Sequence, residues 1–175
     1  MARLERARVL VVDDNATNRE ILVEILSGWG MRPTDVPGVP QALEALREAH
    51  AAGQPFPLVV TDTNMPDYDG FHLVERIQDH PELRSTVLMM LTSGDRPGDI
   101  SRCEQLGVAA YMLKPVKQSE LLDAVLLALG ATADEDVAHA VGRVREQRRG
   151  DERARRRESQ ACETVGAGDP EQDGE

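Results

Sequence analysis

Cysteine is scarce in this chain. Two among 175 residues, Cys103 and Cys162, stand alone, without the paired spacing of a metal site or a redox dithiol. The expectation is two reduced thiols in a cytoplasmic protein. Long apolar runs are missing too, so no stretch reads as a transmembrane segment, and no secretory leader pattern is visible. Positive charge is in deficit: 20 Lys and Arg face 31 Asp and Glu, net −11. That balance argues against a general nucleic-acid binder and suits a cation-binding acidic site, although most of the charge is ordinary solvated surface. The four histidines, His50, His72, His80 and His139, stand singly and lack metal-ligand spacing, and His139 has no helical bundle around it to present a phosphotransfer imidazole.

What is present is core-forming. The chain is 41% hydrophobic, enough for one domain of ordinary size with a tail. Its organising stretch is Leu58-Val59-Val60-Thr61-Asp62-Thr63-Asn64-Met65-Pro66. Leu58 to Val60 reads as a buried strand, and Asp62 ends it, because a carboxylate belongs at the open edge of a sheet rather than inside one. Met65-Pro66 and Asp69-Gly70 read as a loop and turn that fold back beside Asp62.

The same pattern recurs along the chain. Arg8 to Val12 is an apolar strand running into Asp13-Asp14-Asn15, with Asn15 as N-cap of a helix that carries Ile21, Leu22, Ile25, Leu26 and Trp29 on one face and stops at Gly30. Arg32 to Val36 is a weaker strand. Pro40 opens a helix with Leu43 and Leu46 inward. After the Asp62 strand, Phe71 to Asp79 reads as a helix with Leu73, Val74 and Ile77 inward, ended by Pro81. Thr86 to Leu91 is the fourth strand, running into Thr92. Asp99 to Leu106 is a helix stopped by Gly107, Val108 to Leu113 the fifth strand, running into Lys114-Pro115, and Ser119 to Leu129 the last helix. Strands alternating with amphipathic helices imply a parallel sheet covered on both faces, with function at the carboxyl ends of the strands.

Past Gly130 the character changes. Residues 131–175 hold 12 acidic and 8 basic residues, and Arg145 to Gln160 contains a single apolar residue, Ala154. Val137, Val141 and Val144 offer at most one short helix. The division expected is a lead over 1–7, a domain over 8–130 and a polar, disordered tail over 131–175.

The polar residues at the strand ends form a set: Asp13 and Asp14, Asp62, Thr92 and Lys114. Crowded carboxylates raise one another's pKa unless a cation sits among them. A divalent, oxygen-preferring ion fits, and Mg²⁺ is expected. Such a site supports phosphoryl transfer to a carboxylate, with the metal, the ammonium and the hydroxyl neutralising the phosphoryl oxygens. Taken singly, Asp-Asp reads as a helix cap with a neighbour, Thr92 as another cap and Lys114 as surface. Jointly, ending different strands, they are specific.

With these residues, Val12-Asp13-Asp14-Asn15, Asp62 with Met65-Pro66 and Asp69-Gly70, Leu91-Thr92-Ser93 and Lys114-Pro115, the chain resembles the receiver domain of two-component response regulators from about Arg8 to Gly130. The resemblance implies a flavodoxin-like, doubly wound five-stranded parallel sheet, (βα)5. It implies Asp62 as phosphoacceptor, Asp14 as a direct Mg²⁺ ligand, Asp13 acting mainly through water, and Asp62 with the Thr63 carbonyl completing the protein ligands. Thr92 and Lys114 would hold the phosphoryl group, Tyr111 would be the switch aromatic, and Lys114-Pro115 would be cis. Asp14-Asn15-Ala16-Thr17-Asn18-Arg19 and Lys114-Pro115-Val116-Lys117-Gln118-Ser119-Glu120-Leu121 are similar to receivers inside hybrid sensor histidine kinases. The implied partner is a histidine kinase or a histidine phosphotransfer domain, at a cytoplasmic location or a membrane's cytoplasmic face. Kinase glycine boxes, a dimerisation-helix His motif and a DNA-binding domain are not found in this chain, so a single-domain regulator and a fragment of a hybrid kinase both remain open. Thr61, where the family usually has an aliphatic residue, and Tyr68, in place of Met or Leu, depart from its pattern. A haloacid-dehalogenase-like phosphatase also phosphorylates an Asp beside Mg²⁺, but needs a second Asp where this chain has Asn64. A receiver kept only for docking would have no need of the intact acidic and Lys set.

Overall fold

The computed structural model describes residues 4–94 and 98–131. The expected polar tail from residue 132 onward, with Val137, Val141, Val144, His139 and Cys162, lies outside the described residues. Ten main elements alternate: β1 (Arg8–Val12), α1 (Ala16–Gly28), β2 (Arg32–Val36), α2 (Val39–Ala51), β3 (Leu58–Asp62), α3 (Gly70–Asp79), β4 (Val87–Thr92), α4 (Asp99–Gln105), β5 (Ala110–Leu113) and α5 (Gln118–Ala131). Pro81 ends α3 as expected, and Pro81–Leu83 forms a 3₁₀ turn.

The strands form one parallel sheet in the order β2-β1-β3-β4-β5. The chain steps from β1 out to β2, then back across β1 to β3, so the topological switch point lies between β1 and β3. Alternate side chains of each strand enter opposite cores. Leu10, Val12, Val59, Leu88, Met90 and Tyr111 pack with α2 and α3 on one face. Val9, Val11, Leu58, Val60, Met89, Leu91 and Met112 pack with α1 and α5 on the other. All five residues of β3 are buried, and each fully buried Val or Leu contributes about 1.5–3 kcal/mol. β2 is largely exposed and contains Pro33; as the edge strand it tolerates a residue that cannot donate to a ladder.

Some details differ from the sequence expectation. Ile21 is 50% exposed rather than inward. At about 100° per residue it lies at the margin of the stripe centred on Leu22, Ile25, Leu26 and Trp29, and the sheet reaches only the centre. Residues 4–7, the described part of the lead, are tied to the domain: Leu4 is buried, and Arg6 N donates to Gly30 O at 2.8 Å. Thr61 is fully buried without loss, because its hydroxyl donates to Asp62 O at 3.1 Å. Cys103 is buried in the core with Sγ 4.0 Å from Met90 Sδ, and burial pushes its thiol up to about 12.

Gly70 opens α3 where the chain returns to β3. Its amide donates to Thr63 O at 3.0 Å, and a Cβ here would lie 2.3 Å from Asp62 O and 3.0 Å from Met90 Cε. The first of these is main chain of a central strand and cannot yield. Gly70→Ala is therefore expected to destabilise the domain by about 1–3 kcal/mol, read as a lower urea midpoint. A change below about 0.5 kcal/mol, the scale of an ordinary surface substitution, would show that the loop relaxes freely.

Candidate functional site

The parallel ladders bring the strand ends together. Val12 pairs with Thr61, so Asp13 and Asp62 emerge side by side from β1 and β3. Asp62 pairs with Leu91, and Thr92 with Leu113, so β4 and β5 deliver Thr92 and Lys114 to the same edge. Thr63 N donates to Leu91 O at 2.8 Å and Lys114 N to Thr92 O at 2.7 Å, carrying the pairing past the strands proper. The Lys114-Pro115 peptide is cis.

Carboxylate oxygens of Asp13, Asp14 and Asp62 lie within 4.8 Å of one another. Lys114 Nζ stands between two of the three residues, 2.7 Å from Asp13 Oδ2 and 2.8 Å from Asp62 Oδ1. Asp13 and Asp62 are 1% and 5% exposed, whereas Asp14 faces solvent. Asp13 is heavily bonded. Its Oδ1 accepts from Asn15 N at 2.8 Å, and Asn18 Nδ2 reaches Oδ1 at 3.4 Å and Oδ2 at 3.3 Å. Asp62 Oδ2 accepts from Asn64 N at 3.2 Å. Asp62 Oδ1 is in ionic contact with Lys114 yet is a buried oxygen without a well-directed hydrogen bond among the described residues. A buried, under-satisfied oxygen beside two further carboxylates is a donor set for a hard cation, and an all-oxygen set fits Mg²⁺.

Electrostatics follow from this crowding. Burial pushes the Asp62 carboxyl above its ordinary range; Lys114 and the Asn64 amide pull it back only in part, and Asp13 adds repulsion. Burial alone would lower the Lys114 ammonium, but its bonds to Asp13 and Asp62 outweigh that and hold it above its usual value.

The remaining residues singled out in the sequence are placed differently. Thr92 ends β4 fully buried, but its hydroxyl donates to Gly94 O at 2.6 Å and accepts from Gly94 N at 3.3 Å, so it is turned into its own loop. Tyr111 is buried, and its hydroxyl donates to Asp99 Oδ2 at 3.3 Å, at the start of α4. The Thr63 carbonyl accepts from Gly70 N at 3.0 Å in the β3–α3 turn, while Thr63 Oγ1 donates to Leu91 O at 2.8 Å. Tyr68 is 48% exposed and stacks on His72, with ring centroids 4.9 Å apart. Sequence reasoning gave no role to Asn18 or Arg19. Arg19 Nη1 donates to the carbonyls of Asp13 at 2.8 Å and Asp14 at 3.2 Å. Their signal was the spacing from Asn15, at i+3 and i+4, which puts all three on one face of the first turn of α1.

The raised Asp62 pKa has a stability consequence with a definite sign. The folded chain holds this proton more tightly than the unfolded chain, so as pH rises from the unfolded value through the folded one, the folded state keeps the extra proton and stability falls. Above the folded value the loss is complete. Asp62→Asn mimics the protonated form. In metal-free buffer at neutral pH it is expected to raise the unfolding temperature, with a gain that shrinks as the pH drops through the folded pKa of Asp62. A lower unfolding temperature for Asp62→Asn at neutral pH would mean that the pairing with Lys114 outweighs the burial cost.

The chain is similar to known proteins in sequence and in fold. A family model described as the response regulator receiver domain matches residues 9–126. The sensory/regulatory protein RpfC of Xanthomonas campestris pv. campestris is 32% identical over 124 residues, which are 70% of this chain but 16% of that protein. The two-component response regulator ORR3 of Oryza sativa is 31% identical over 116 residues, 65% of this chain and 83% of that one. The solved response regulator receiver protein of Pseudomonas putida is 29% identical and superposes with a TM-score of 0.61, covering 69% of this chain and 95% of that one. With its β2-β1-β3-β4-β5 sheet and its acidic strand-end cluster, the chain belongs to the response regulator receiver domain family of two-component signalling.

Proposed function

We propose that the chain accepts a phosphoryl group on Asp62 in a two-component phosphorelay, with Mg²⁺, and passes the event to a partner through its surface. The observation that carries this reading is the Lys114 ammonium, held 2.7 and 2.8 Å from carboxylate oxygens of Asp13 and Asp62 at the edge where Asp14 also stands. A cation fixed beside the attacking carboxylate is placed to take up the charge on the phosphoryl oxygens, which is what phosphoryl transfer to a carboxylate needs.

Asp13, Asp14 and Asp62 would hold the ion. Asp14, exposed and without a side-chain donor among the described residues, is the direct ligand. Asp13, already bonded by Asn15, Asn18 and Lys114, acts through water. The Thr63 carbonyl would complete the set: it accepts one bond, from Gly70 N, and keeps a second lone pair. Bound Mg²⁺ supplies positive charge to the phosphoryl oxygens. A carboxylate oxygen of Asp62 attacks phosphorus; the new P–O bond forms as the P–N bond to a donor imidazole breaks, and the imidazole nitrogen keeps the electron pair. Lys114 stays paired and takes the charge that builds on the transferring group. The donor is a histidine kinase or a histidine phosphotransfer domain, in keeping with a receiver domain of two-component signalling.

Thr92 and Tyr111 form the switch. The Thr92 hydroxyl now bonds Gly94 O; an acyl phosphate on Asp62 offers it a stronger, charged acceptor. Drawing it inward pulls the β4–α4 loop and bears on the bond between Tyr111 and Asp99 at the start of α4. The face of α4, β5 and α5 then changes for a partner. A phosphatase of the haloacid-dehalogenase kind is not favoured, because Asn64 gives its main-chain amide to Asp62 and has no acid to offer.

Acetyl phosphate with Mg²⁺ is expected to label Asp62 alone, seen by mass spectrometry, and EDTA or Asp62→Asn to abolish the label. Full labelling of Asp62→Asn would sink the assignment. Beryllofluoride with Mg²⁺ should shift amide resonances of Thr92, Tyr111 and residues 98–105; an unmoved α4 face would contradict the switch. A chain ending at Ala131 is expected to keep its melting temperature and its labelling, because residues 132–175 carry too little apolar surface to offset an ordering cost of roughly 1–2 kcal/mol per residue. A melting temperature lower by more than a few degrees would show that they dock on the domain.

A further inference from the structure

Arg19 lies in the first turns of α1, one helical turn past the N-cap Asn15. Its side chain is 17% exposed, and Nε donates to Asp35 Oδ2 at 2.9 Å, near the end of β2. From that anchor Nη1 reaches two main-chain oxygens, Asp13 O at 2.8 Å and Asp14 O at 3.2 Å. These carbonyls follow the point where the β1 ladders end, at the pairs Val12–Val36 and Val12–Thr61, so strand pairing no longer satisfies them. One planar guanidinium thus fastens both residues of the acidic pair to the neighbouring strand, using the fixed fork of donors that distinguishes Arg from Lys.

The carboxylates of the same two residues point the other way, into the site. Asn15 N and Asn18 Nδ2 hold Asp13 from α1, and Lys114 holds it from β5. Asp14 has no such support for its side chain among the described residues. The direction of its carboxylate is set by its backbone, and the bond given to that backbone from a side chain is the one from Arg19.

We propose that Arg19 is a positioning residue for the cation: by tying the main chain of Asp13 and Asp14 to Asp35, it fixes the direction of both carboxylates and raises the affinity of the site for Mg²⁺. This rests on the reading of Asp13, Asp14 and Asp62 as the Mg²⁺ ligands. Two physical effects of Arg19 on a bound cation oppose each other. As a positive charge it repels the ion, so its removal would tighten binding. As a strut it orders the ligands, so its removal weakens binding. Partners that orient metal ligands change affinity by about 10–100-fold, and Arg19 acts through main chain only, so the lower end of that range is expected.

The test is a titration of the full chain with Mg²⁺ alone, without a phosphodonor, followed by calorimetry and by the amide shifts of Asp14 and Asn15. Arg19→Ala is expected to bind Mg²⁺ roughly tenfold more weakly. Arg19→Lys keeps the charge but cannot span Asp35 and two carbonyls at once, and it too is expected to bind more weakly than the native chain. Thermal unfolding in metal-free buffer shows that each variant is folded; a merely structural role would lower that midpoint and leave the affinity of the folded protein alone. Equal or tighter Mg²⁺ binding by Arg19→Ala, or native affinity in Arg19→Lys, overturns the proposal. A native chain that does not bind Mg²⁺ at all would remove the cation-site reading itself, a result seen before any variant is made.

Discussion

Two buried carboxylates share one ammonium. Lys114 Nζ lies within 2.8 Å of oxygens from Asp13 and Asp62, and those aspartates end neighbouring strands of the sheet. Two carboxylates and one ammonium leave a net negative charge in a site removed from water, and exposed Asp14 adds another at its rim. Burial first, and repulsion from Asp13 after it, hold the Asp62 proton more tightly than in water despite Lys114. The site is thus one positive charge short of balance or more. Under the proposed function a divalent cation would supply that charge, and a phosphoryl group would bring oxygens for both cations to share.

The rest of the fold serves to hold that imbalance in place. A parallel sheet sends all its strand ends to one edge, and the switch point between β1 and β3 opens a crevice there. The two cores, one on each face, fix the strands laterally. Main-chain bonds beyond the strand ends, from Thr63 to Leu91 and from Lys114 to Thr92, carry that order into the loops. The return of the chain at Gly70 packs the start of α3 against the backbone of Asp62, with Asp69 capping the helix through His72 N. Arg102 of α4 bonds Glu75 of α3 at 2.6 Å and lies over the Phe71 ring, so the first turns of α3 also touch α4. The start of α3, packed against the backbone of Asp62, is thereby joined to α4.

Much of this was legible in the sequence, for physical reasons that can be named. Buried parallel strands read as short apolar runs, and a polar residue at the end of each run marks the open edge; Asp13, Asp62, Thr92 and Lys114 were visible on that ground alone. Helix stops were visible where a left-handed residue is required, at Gly30 and Gly107. Other features need three dimensions. Ile21 fits an apolar stripe by spacing, but how wide a stripe the sheet covers depends on how α1 sits on it. That the Thr63 carbonyl also closes the turn, by accepting from Gly70 N, is not encoded in any spacing. The service of Asn18 and Arg19 to the acidic pair depends on side chains reaching back past the N-cap, and Arg19 further depends on β2 bringing Asp35 within 2.9 Å. The orientation of the Thr92 hydroxyl, toward Gly94 rather than toward Asp62, is a choice among rotamers that no spacing encodes.

The central claim is that the strand-end cluster is a charge-deficient cation site with Asp62 as its reactive member. Carbon-13 detection of the aspartate carboxyl groups, as a function of pH with and without Mg²⁺, addresses it most directly. Without the metal Asp62 is expected to titrate above the ordinary carboxylate range, and saturating Mg²⁺ to drive its titration down while the Asp14 and Asp62 resonances shift together along one binding curve. An Asp62 carboxyl whose resonance and titration are the same with and without Mg²⁺ would contradict it.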